Sequence, residues 1–174
     1  MGLATGADFS GIVDKVELLI RQPTESEFLS WRPLWNSYLE FYQTELPPES
    51  ATSLWERILN PKSNVRCHVA SQNEELIGLV HFLAHENTWS NHPVCYLQDL
   101  YVDPSHRGEG VGAKLIDSVV KQAKSEGWEG VYWLTAEDNH SARGLYDSLT
   151  GGTTGFVHYE MDTTSDQAQD ETQV

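Results

Sequence analysis

The sequence predicts a mixed α/β fold in which a central β-sheet is flanked by helices. Short segments rich in β-branched and aromatic residues alternate with segments whose apolar residues recur every three or four positions. These two patterns are typical of strands and amphipathic helices, respectively. A chain of 174 residues with 39% hydrophobic and 21% charged residues is long enough for one buried core. We therefore expect a single domain.

The two ends of the chain differ from its middle. Residues 1–14 are small and polar, and residues 162–174 are acidic with almost no apolar side chains. Such segments bury too little apolar surface to fold. We expect both ends to be disordered and residues 15–161 to form the domain.

A strand is predicted over residues 16–20, followed by a long aromatic helix. Thr24 and Glu27 have the spacing of a capping box, which marks a helix start. The apolar residues that follow at helical spacing are Phe28, Trp31, Leu34, Trp35, Tyr38, Leu39 and Tyr42. Because Pro33 interrupts this stripe, we expect a kink or two helical pieces there. A short second helix is predicted over residues 53–59.

The middle of the chain is predicted to be mostly strand. Residues 65–71 and 75–84 form a hairpin around the polar turn 72–74, and residues 95–102 form a further strand. Alternation along that strand places Leu97, Asp99 and Tyr101 on one face and Gln98, Leu100 and Val102 on the other.

The last part of the domain is predicted to alternate between helices and strands. A helix over residues 110–126 ends at Gly127, and its buried face carries Val111, Leu115, Val119 and Ala123. Residues 131–136 are predicted as a buried strand, 140–149 as a short helix and 155–161 as a closing strand.

Charge and cysteine content exclude several classes of function. The chain has 26 acidic and 11 basic residues, and its net charge of -15 disfavours binding to nucleic acids and anionic membranes. Cys67 and Cys95 form no CxxC pair, and no stretch has the length of a signal peptide or membrane span. We expect a cytoplasmic location, with the nucleus as an alternative.

A glycine-rich loop, Arg107-Gly108-Glu109-Gly110-Val111-Gly112, lies between a predicted strand and a helix start. Amides at a helix N-terminus bind anions, and glycines let a diphosphate approach the backbone. The loop also satisfies the dinucleotide pattern GxGxxA, but five residues separate it from the strand, which the dinucleotide turn does not allow. A P-loop is excluded because Lys114 is followed by Leu115 rather than Ser or Thr.

Two motifs, in the order in which they follow each other along the chain, resemble the signatures of the GNAT family of N-acetyltransferases. Arg107-x-x-Gly110-x-Gly112 is similar to that family's coenzyme A pyrophosphate signature, R/Q-x-x-G-x-G/A. Residues 139–146 are similar to its N-x-x-A-x-x-L-Y helix. Several segments also look like the branch that contains the yeast-type D-amino-acid and histone/polyamine acetyltransferases and their bacterial relatives. The resemblance implies a mostly antiparallel sheet that opens between the strand of Asp99 and that of Trp133 to admit acetyl-CoA.

The resemblance also implies which residues hold the coenzyme and perform the reaction. The coenzyme-binding residues are Leu100, Tyr101, Val102, Arg107, Gly108, Glu109, Gly110, Val111, Gly112, Asn139, Ala142 and Tyr146. Many members have a glutamate base where this chain has Gln98, which cannot accept the proton. Asp99, Glu137 and His85 remain as candidate bases, although Asp99 could instead be a partner for a His or backbone group. Tyr146 is the candidate acid for the departing thiolate.

The acceptor is expected to be a small primary amine such as a D-amino acid or a polyamine, with protein lysines as an alternative. The candidate acceptor-binding residues are Trp35, Tyr38, His85, Trp89, Gln98 and Trp133. No metal is expected, because His81 and His85 would lie about 13 Å apart along a strand. A homodimer is expected. A non-catalytic acyl-CoA-binding protein stays open, since Gln98 removes the usual base.

Overall fold

A computed structural model describes residues 17–163 of the chain, and the remaining residues lie outside that description. The described chain forms two compact units that meet in sequence between Leu134 and Thr135. The elements of the first unit are β1 Leu18–Arg21, α1 Phe28–Phe41, α2 Ser50–Leu59, β2 Val65–Gln72, β3 Glu75–His85, β4 Val94–Val102, α3 Val111–Ser125 and β5 Val131–Tyr132. The second unit contains α4, His140–Thr150.

The sheet of the first unit is mostly antiparallel, which confirms the fold class predicted from the sequence. Its strand order is β1-β2-β3-β4-β5, and only the β4–β5 pair is parallel. The β2–β3 hairpin turns through Asn73 and Glu74, which both have positive φ angles of 50° and 68°. Two consecutive residues of this kind match the right-handed twist of the strands they join.

Helix α1 begins as the sequence predicts but does not break at Pro33. The capping box of Thr24 and Glu27 is formed around a short 3-10 turn, Glu25–Glu27, that leads into α1. The α-helix then continues through Pro33 as one piece. Pro33 has no N–H to donate to the carbonyl of Leu29, and Leu29 is 78% exposed, so water can take the place of that donor. The expected division into two helical pieces is therefore absent.

The helices of the first unit cover both faces of the sheet. Trp31 and Trp35 of α1 and Trp55 of α2 form the main core with strand residues that include Cys67 and Val69. The intervening strand residue, His68, faces the other way, and its Nδ1 lies 2.8 Å from Ser118 Oγ on α3. Alternate residues of β2 thus contact opposite layers.

Helix α3 has the predicted buried face and the predicted end. Val111, Leu115, Val119 and Ala123 are buried on it, together with Ile116. Gly127, which follows the helix, has a φ of 71°. A left-handed residue at this position ends the helix, and glycine adopts it without steric cost.

Two predicted strands near the end of the domain are wrong in extent or absent. The strand predicted over 131–136 is only Val131–Tyr132, and it is not buried, since Tyr132 and Leu134 are exposed. Residues 155–161 form no strand, and their apolar side chains are exposed. Alternating apolar residues make a strand only where a neighbouring strand pairs with them, and none does so within residues 17–163.

The predictions for the two chain ends are not tested. Residues 1–14, and the tail beyond residue 163, lie outside the described part of the chain. Within residues 17–163, no helix combines the length and apolar character needed to cross a bilayer.

Candidate active site

Strand β4 contains a β-bulge at Gln98. His81 and Phe82 are consecutive on β3, yet they pair with Asp99 and Leu97, so Gln98 is the extra residue between them. Directly paired residues lie on the same face of a sheet, and a bulge shifts the alternation by one residue. The expectation that Leu97 shares a face with Asp99 is therefore wrong. The Gln98 side chain is exposed.

One edge of β4 is open beyond the bulge. Strand β5 pairs with β4 only at Cys95 and Tyr96, whereas β4 continues to Val102. Within residues 17–163, the stretch 97–102 pairs only with β3. The backbone groups that point away from β3 are thus left for another partner. This edge includes Leu100 and Val102, two of the residues expected to bind the coenzyme.

The loop after β4 is fixed to the end of that strand. Arg107 Nε donates to the carbonyl oxygen of Val102 at 3.2 Å. The guanidinium carbon of Arg107 lies 5.9 Å from the ring centroid of Tyr101, within the range of a cation–π contact. The loop and the open edge of β4 therefore adjoin each other.

The glycines of this loop shape the N-terminus of α3. Gly108 and Gly110 have φ angles of 81° and 78°, a region that residues with a Cβ rarely adopt. The first intrahelical bond runs from the Lys114 amide to the Gly110 carbonyl at 3.1 Å. The amides of residues 111–113 therefore have no acceptor within the helix. Glycine torsions, free amides and the helix dipole together fit a diphosphate.

Asp99 lies in a buried polar cluster beneath α1. Its Oδ2 is 3.0 Å from Nδ1 of His81. The Tyr38 hydroxyl donates a second hydrogen bond to the same carboxylate, and burial, assisted by the charge of Asp99, raises the pKa of Tyr38 well above its usual value. Tyr38 therefore stays protonated. On the far side of the imidazole, Trp31 Nε1 donates to His81 Nε2 at 3.2 Å.

The predicted acceptor-binding residues of the first unit have different surroundings. Trp35 is only 7% exposed and lies in the core, so it cannot form a surface open to an acceptor. Tyr38 and Trp133 are half-buried. His85 is exposed, and its Nε2 lies 3.0 Å from the Tyr132 hydroxyl. Trp89 is 91% exposed in the loop after β3.

The second unit contains the other predicted site residues. Asn139 is the N-cap of α4, since its Oδ1 accepts from the Ala142 amide at 3.3 Å. Its Nδ2 also donates to Thr135 Oγ1 at 3.2 Å. Glu137 is exposed, and its backbone carbonyl accepts from Arg143 at 2.7 Å. Asn139 therefore caps the N-terminus of α4.

Tyr146 lies on α4 and is half-buried. Its neighbour on the same helix, Ala142, is also half-buried, and the two are four residues apart on one face. Within residues 17–163, no group of three or more His, Cys, Asp or Glu side chains could hold a metal ion.

Comparisons with known proteins agree on one family. The sequence profile of the Acetyltransferase (GNAT) family matches residues 31–151. The chain is 36% identical to D-amino-acid N-acetyltransferase HPA3 of Saccharomyces cerevisiae over 138 residues, 78% of this chain and 84% of that protein. It is 32% identical to the uncharacterized N-acetyltransferase YhfO of Bacillus subtilis over 142 residues, 80% of this chain and 94% of that protein.

Solved structures show the same fold. Aminoglycoside N-acetyltransferase AAC(6')-Iy in complex with CoA superposes with a TM-score of 0.75 at 21% identity, covering 87% of this chain and 99% of that chain. Ribosomal-protein-alanine N-acetyltransferase from Brucella melitensis superposes with a TM-score of 0.71 at 19% identity, covering 84% of this chain and 99% of that chain.

Proposed function

The chain belongs to the GNAT family of acetyltransferases, and from that membership we propose that it acetylates the primary amine of a small molecule by direct attack on acetyl-CoA. An amine is proposed as the acceptor because of the buried carboxylate of Asp99, which accepts hydrogen bonds from His81 and Tyr38. An acceptor ammonium is the complementary group for such a carboxylate. The similarity to a yeast D-amino-acid N-acetyltransferase supports an acceptor of this size.

The donor side of the site is supported by the loop at the start of α3. The amides of residues 111–113 and the two left-handed glycines, Gly108 and Gly110, fit the pyrophosphate of coenzyme A. Arg107 is held against the end of β4 and adds a positive charge beside those amides. Bound acetyl-CoA supplies an activated acyl group as a thioester. The open edge of β4 at Leu100 offers backbone donors for the thioester carbonyl oxygen.

The acceptor must be a neutral amine when it attacks the thioester. An alkylammonium has a pKa near 10.4 and no lone pair, so a base must remove a proton before attack. Gln98 cannot serve as this base. Asp99 can accept a proton, and its side chain lies on the face of the sheet that Tyr38 also faces. In our proposal the ammonium proton passes to the Asp99 carboxylate, either directly or through the Tyr38 hydroxyl. In the second route Tyr38 gives its proton to Asp99 as it receives the proton of the amine.

Tyr146 remains the proposed acid for the departing thiolate. The support is the family resemblance of residues 139–146 and the well-capped helix that presents Tyr146. Glu137 receives less support as a base, because its side chain is exposed and a base gains strength for this task from a desolvated site. Replacing Tyr146 with Phe is expected to lower kcat about 10²-fold or more with little change in KM.

The direct test is the release of free thiol from acetyl-CoA across a panel of D-amino acids, polyamines and lysine peptides. Turnover with a small amine, and loss of about 10²- to 10⁴-fold in kcat/KM for Asp99→Asn, are the expected results. Asp117→Asn is the matched control, because Asp117 is exposed on α3 and pairs with the surface residue Lys121, 2.7 Å away. Faster turnover of lysine peptides than of every small amine would favour the protein-lysine alternative. Acetyl-CoA binding without turnover of any amine would favour a non-catalytic binding protein.

We also propose that the chain forms a homodimer through the segment 155–161. Its four large apolar side chains, Phe156, Val157, Tyr159 and Met161, are each at least 74% exposed. A group of exposed apolar side chains within one short segment is typical of an interface. Light scattering after gel filtration should give twice the monomer mass, and replacing Phe156 and Tyr159 with Ser should shift the protein toward monomer. A monomeric wild-type protein would contradict the dimer.

A further inference from the structure

The contact between Trp31 and His81 defines the protonation state of the imidazole. The indole Nε1–H of Trp31 can only donate a hydrogen bond, so the His81 Nε2 that it contacts at 3.2 Å must carry a lone pair. The single ring proton is therefore on Nδ1, and it points at Asp99 Oδ2, 3.0 Å away. Although these two side chains are close enough for an ion pair, the indole makes their contact a hydrogen bond from a neutral His.

This arrangement leaves the negative charge of Asp99 uncompensated. The carboxylate accepts from two neutral donors, the His81 imidazole and the Tyr38 phenol. If His81 were protonated, the pair would carry no net charge, and the site would lose both its attraction for an ammonium and its base. Protonation would also place an N–H on Nε2 directly opposite the N–H of Trp31. In that contact two N–H donors would face each other with no acceptor between them.

We propose that Trp31 is a positioning residue which, through His81, keeps the negative charge of Asp99 uncompensated and available to the acceptor amine. This inference rests on the proposed function, because it assigns a purpose to the charge of Asp99. It adds a requirement that the acetyl transfer itself does not impose, namely a fixed His81 tautomer set by an indole.

Within residues 17–163, no charged side chain other than Asp99 is buried next to His81. No other buried charge could therefore determine the protonation state of the imidazole. From β4 it faces Asp99, and from α1 it faces Trp31 and Trp35. Tyr38, also on α1, interacts with the Asp99 carboxylate. From β2 the cross-strand partner of His81 is Cys67, whose pKa burial raises far above the usual range, so that it is a neutral thiol. Glu27, farther away, is neutralised by its contact with Arg21.

Removing the indole donor should shift the pH dependence of the reaction. In Trp31→Phe, His81 Nε2 has no donor opposite it, and the neighbouring carboxylate favours imidazolium formation as the pH falls. The acid limb of kcat/KM for the amine should then move up by at least one pH unit, toward the ordinary histidine range near 6.5. Trp55→Phe is the matched control, because Trp55 is buried in the same cluster and its ring centroid lies 5.0 Å from that of Trp31 in a tilted contact. The aromatic contacts of His81 on α1 are instead with Trp31 and Trp35. The acid limb of Trp55→Phe should not move.

A double variant identifies the titrating group. In His81→Asn, the amide nitrogen can take the place of Nδ1 as donor to Asp99 but cannot take up a proton near neutral pH. Asn at this position is expected to lower kcat while leaving the acid limb where it is in the wild type. Adding Trp31→Phe to this variant should then cause no further shift. A shift that persists in the double variant would show that His81 is not the group involved and would overturn the proposal.

The decisive measurement does not need turnover. Long-range ¹H–¹⁵N correlation spectra of the wild-type protein, with the His81 signals assigned from their loss in His81→Asn, report the tautomer directly. At neutral pH the ring proton of His81 should be on Nδ1, with a lone pair on Nε2. A ring with its proton on Nε2, or with both nitrogens protonated, would overturn the proposal whatever the enzyme acetylates. If the tautomer is as expected and Asp99→Asn is fully active, the role of Asp99 as base fails while the indole's control of the tautomer stands.

Discussion

A methyl group added at Gly78 would lie 2.9 Å from the carbonyl oxygen of Tyr101 on the neighbouring strand. The same methyl group would lie 3.3 Å from a side-chain carbon of Leu115 on α3. Gly78 therefore lets β3, β4 and α3 approach each other next to the open edge of β4. The sheet pairs Gly78 with Val102, the residue whose carbonyl anchors Arg107.

Gly78→Ala is expected to destabilise the protein by about 1–3 kcal/mol, because the oxygen it meets belongs to the backbone and cannot move aside alone. The displacement of β4 should also raise the KM for acetyl-CoA. Urea unfolding and steady-state kinetics measure the two effects. Gly130→Ala is the control, since a methyl group at Gly130 meets nothing within 4 Å. Equal stability of the two variants would contradict the close packing at Gly78.

The glycines of the coenzyme loop should differ in their tolerance of alanine. Gly110→Ala forces a residue with a Cβ to a φ of 78°, at a cost of about 1–2 kcal/mol, and should raise the Kd for coenzyme A. Gly112 lies inside α3, and its φ is not positive, so Gly112→Ala should be tolerated by the helix. Calorimetric titration with coenzyme A compares them. A larger loss of affinity for Gly112→Ala would indicate that the close approach of the phosphate to the backbone, and not backbone strain, determines where the loop tolerates alanine.

The parts of the fold that the sequence predicts well are those encoded locally. The apolar stripe of α1 and the capping box of Thr24 and Glu27 lie within a few turns of each other, so spacing alone reveals them. The coenzyme loop is equally local, because its glycines directly precede the helix whose amides they expose. The hairpin turn at Asn73 is also encoded in a few adjacent residues.

The parts that sequence analysis misses depend on which segments become neighbours. The bulge at Gln98 exists only in the pairing of β4 with β3, and no pattern within β4 marks it. Likewise, the contact of His81 with Asp99 joins residues 18 positions apart. The sequence does indicate that β3 and β4 are consecutive strands that can pair as antiparallel neighbours. The residues that pair between the two strands cannot be predicted, however, unless the position of the bulge is known. Residues 155–161 alternate like a strand, yet the pattern does not say whether a partner strand is present.

The stability of the protein should depend on pH through the carboxyl group of Glu27. Arg21 contacts the Glu27 carboxylate with both guanidinium nitrogens, at 2.8 and 2.6 Å, and these bonds lower the pKa of Glu27 from 4.5 to about 2. A carboxyl group with a depressed pKa stabilises the fold fully above its unfolded-state pKa. That contribution is lost as the pH falls from 4.5 toward 2.

Glu27→Gln should therefore lower the free energy of unfolding by about 1 kcal/mol at pH 7, where it also weakens the capping box with Thr24. The difference from the wild type should shrink as the pH approaches 2.5. Glu25→Gln is the control, because Glu25 is exposed in the same 3-10 turn. Denaturant melts at several pH values provide the measurement, and a difference that grows toward acid would contradict the depressed pKa.

Both cysteine thiols should be inert in the folded enzyme. Cys67 and Cys95 are 2% and 0% exposed, and burial raises the pKa of Cys95 to about 11 and that of Cys67 still further. The thiolate is the reactive form, and at pH 8 only about one Cys95 in a thousand would carry it. Iodoacetamide should therefore modify neither residue in the native protein and both after unfolding in urea. The alkylating treatment should leave acetyl transfer unchanged, because an amine that attacks the thioester directly needs no cysteine to carry the acetyl group. Rapid alkylation of the native enzyme with parallel loss of turnover would instead indicate an acyl-cysteine route.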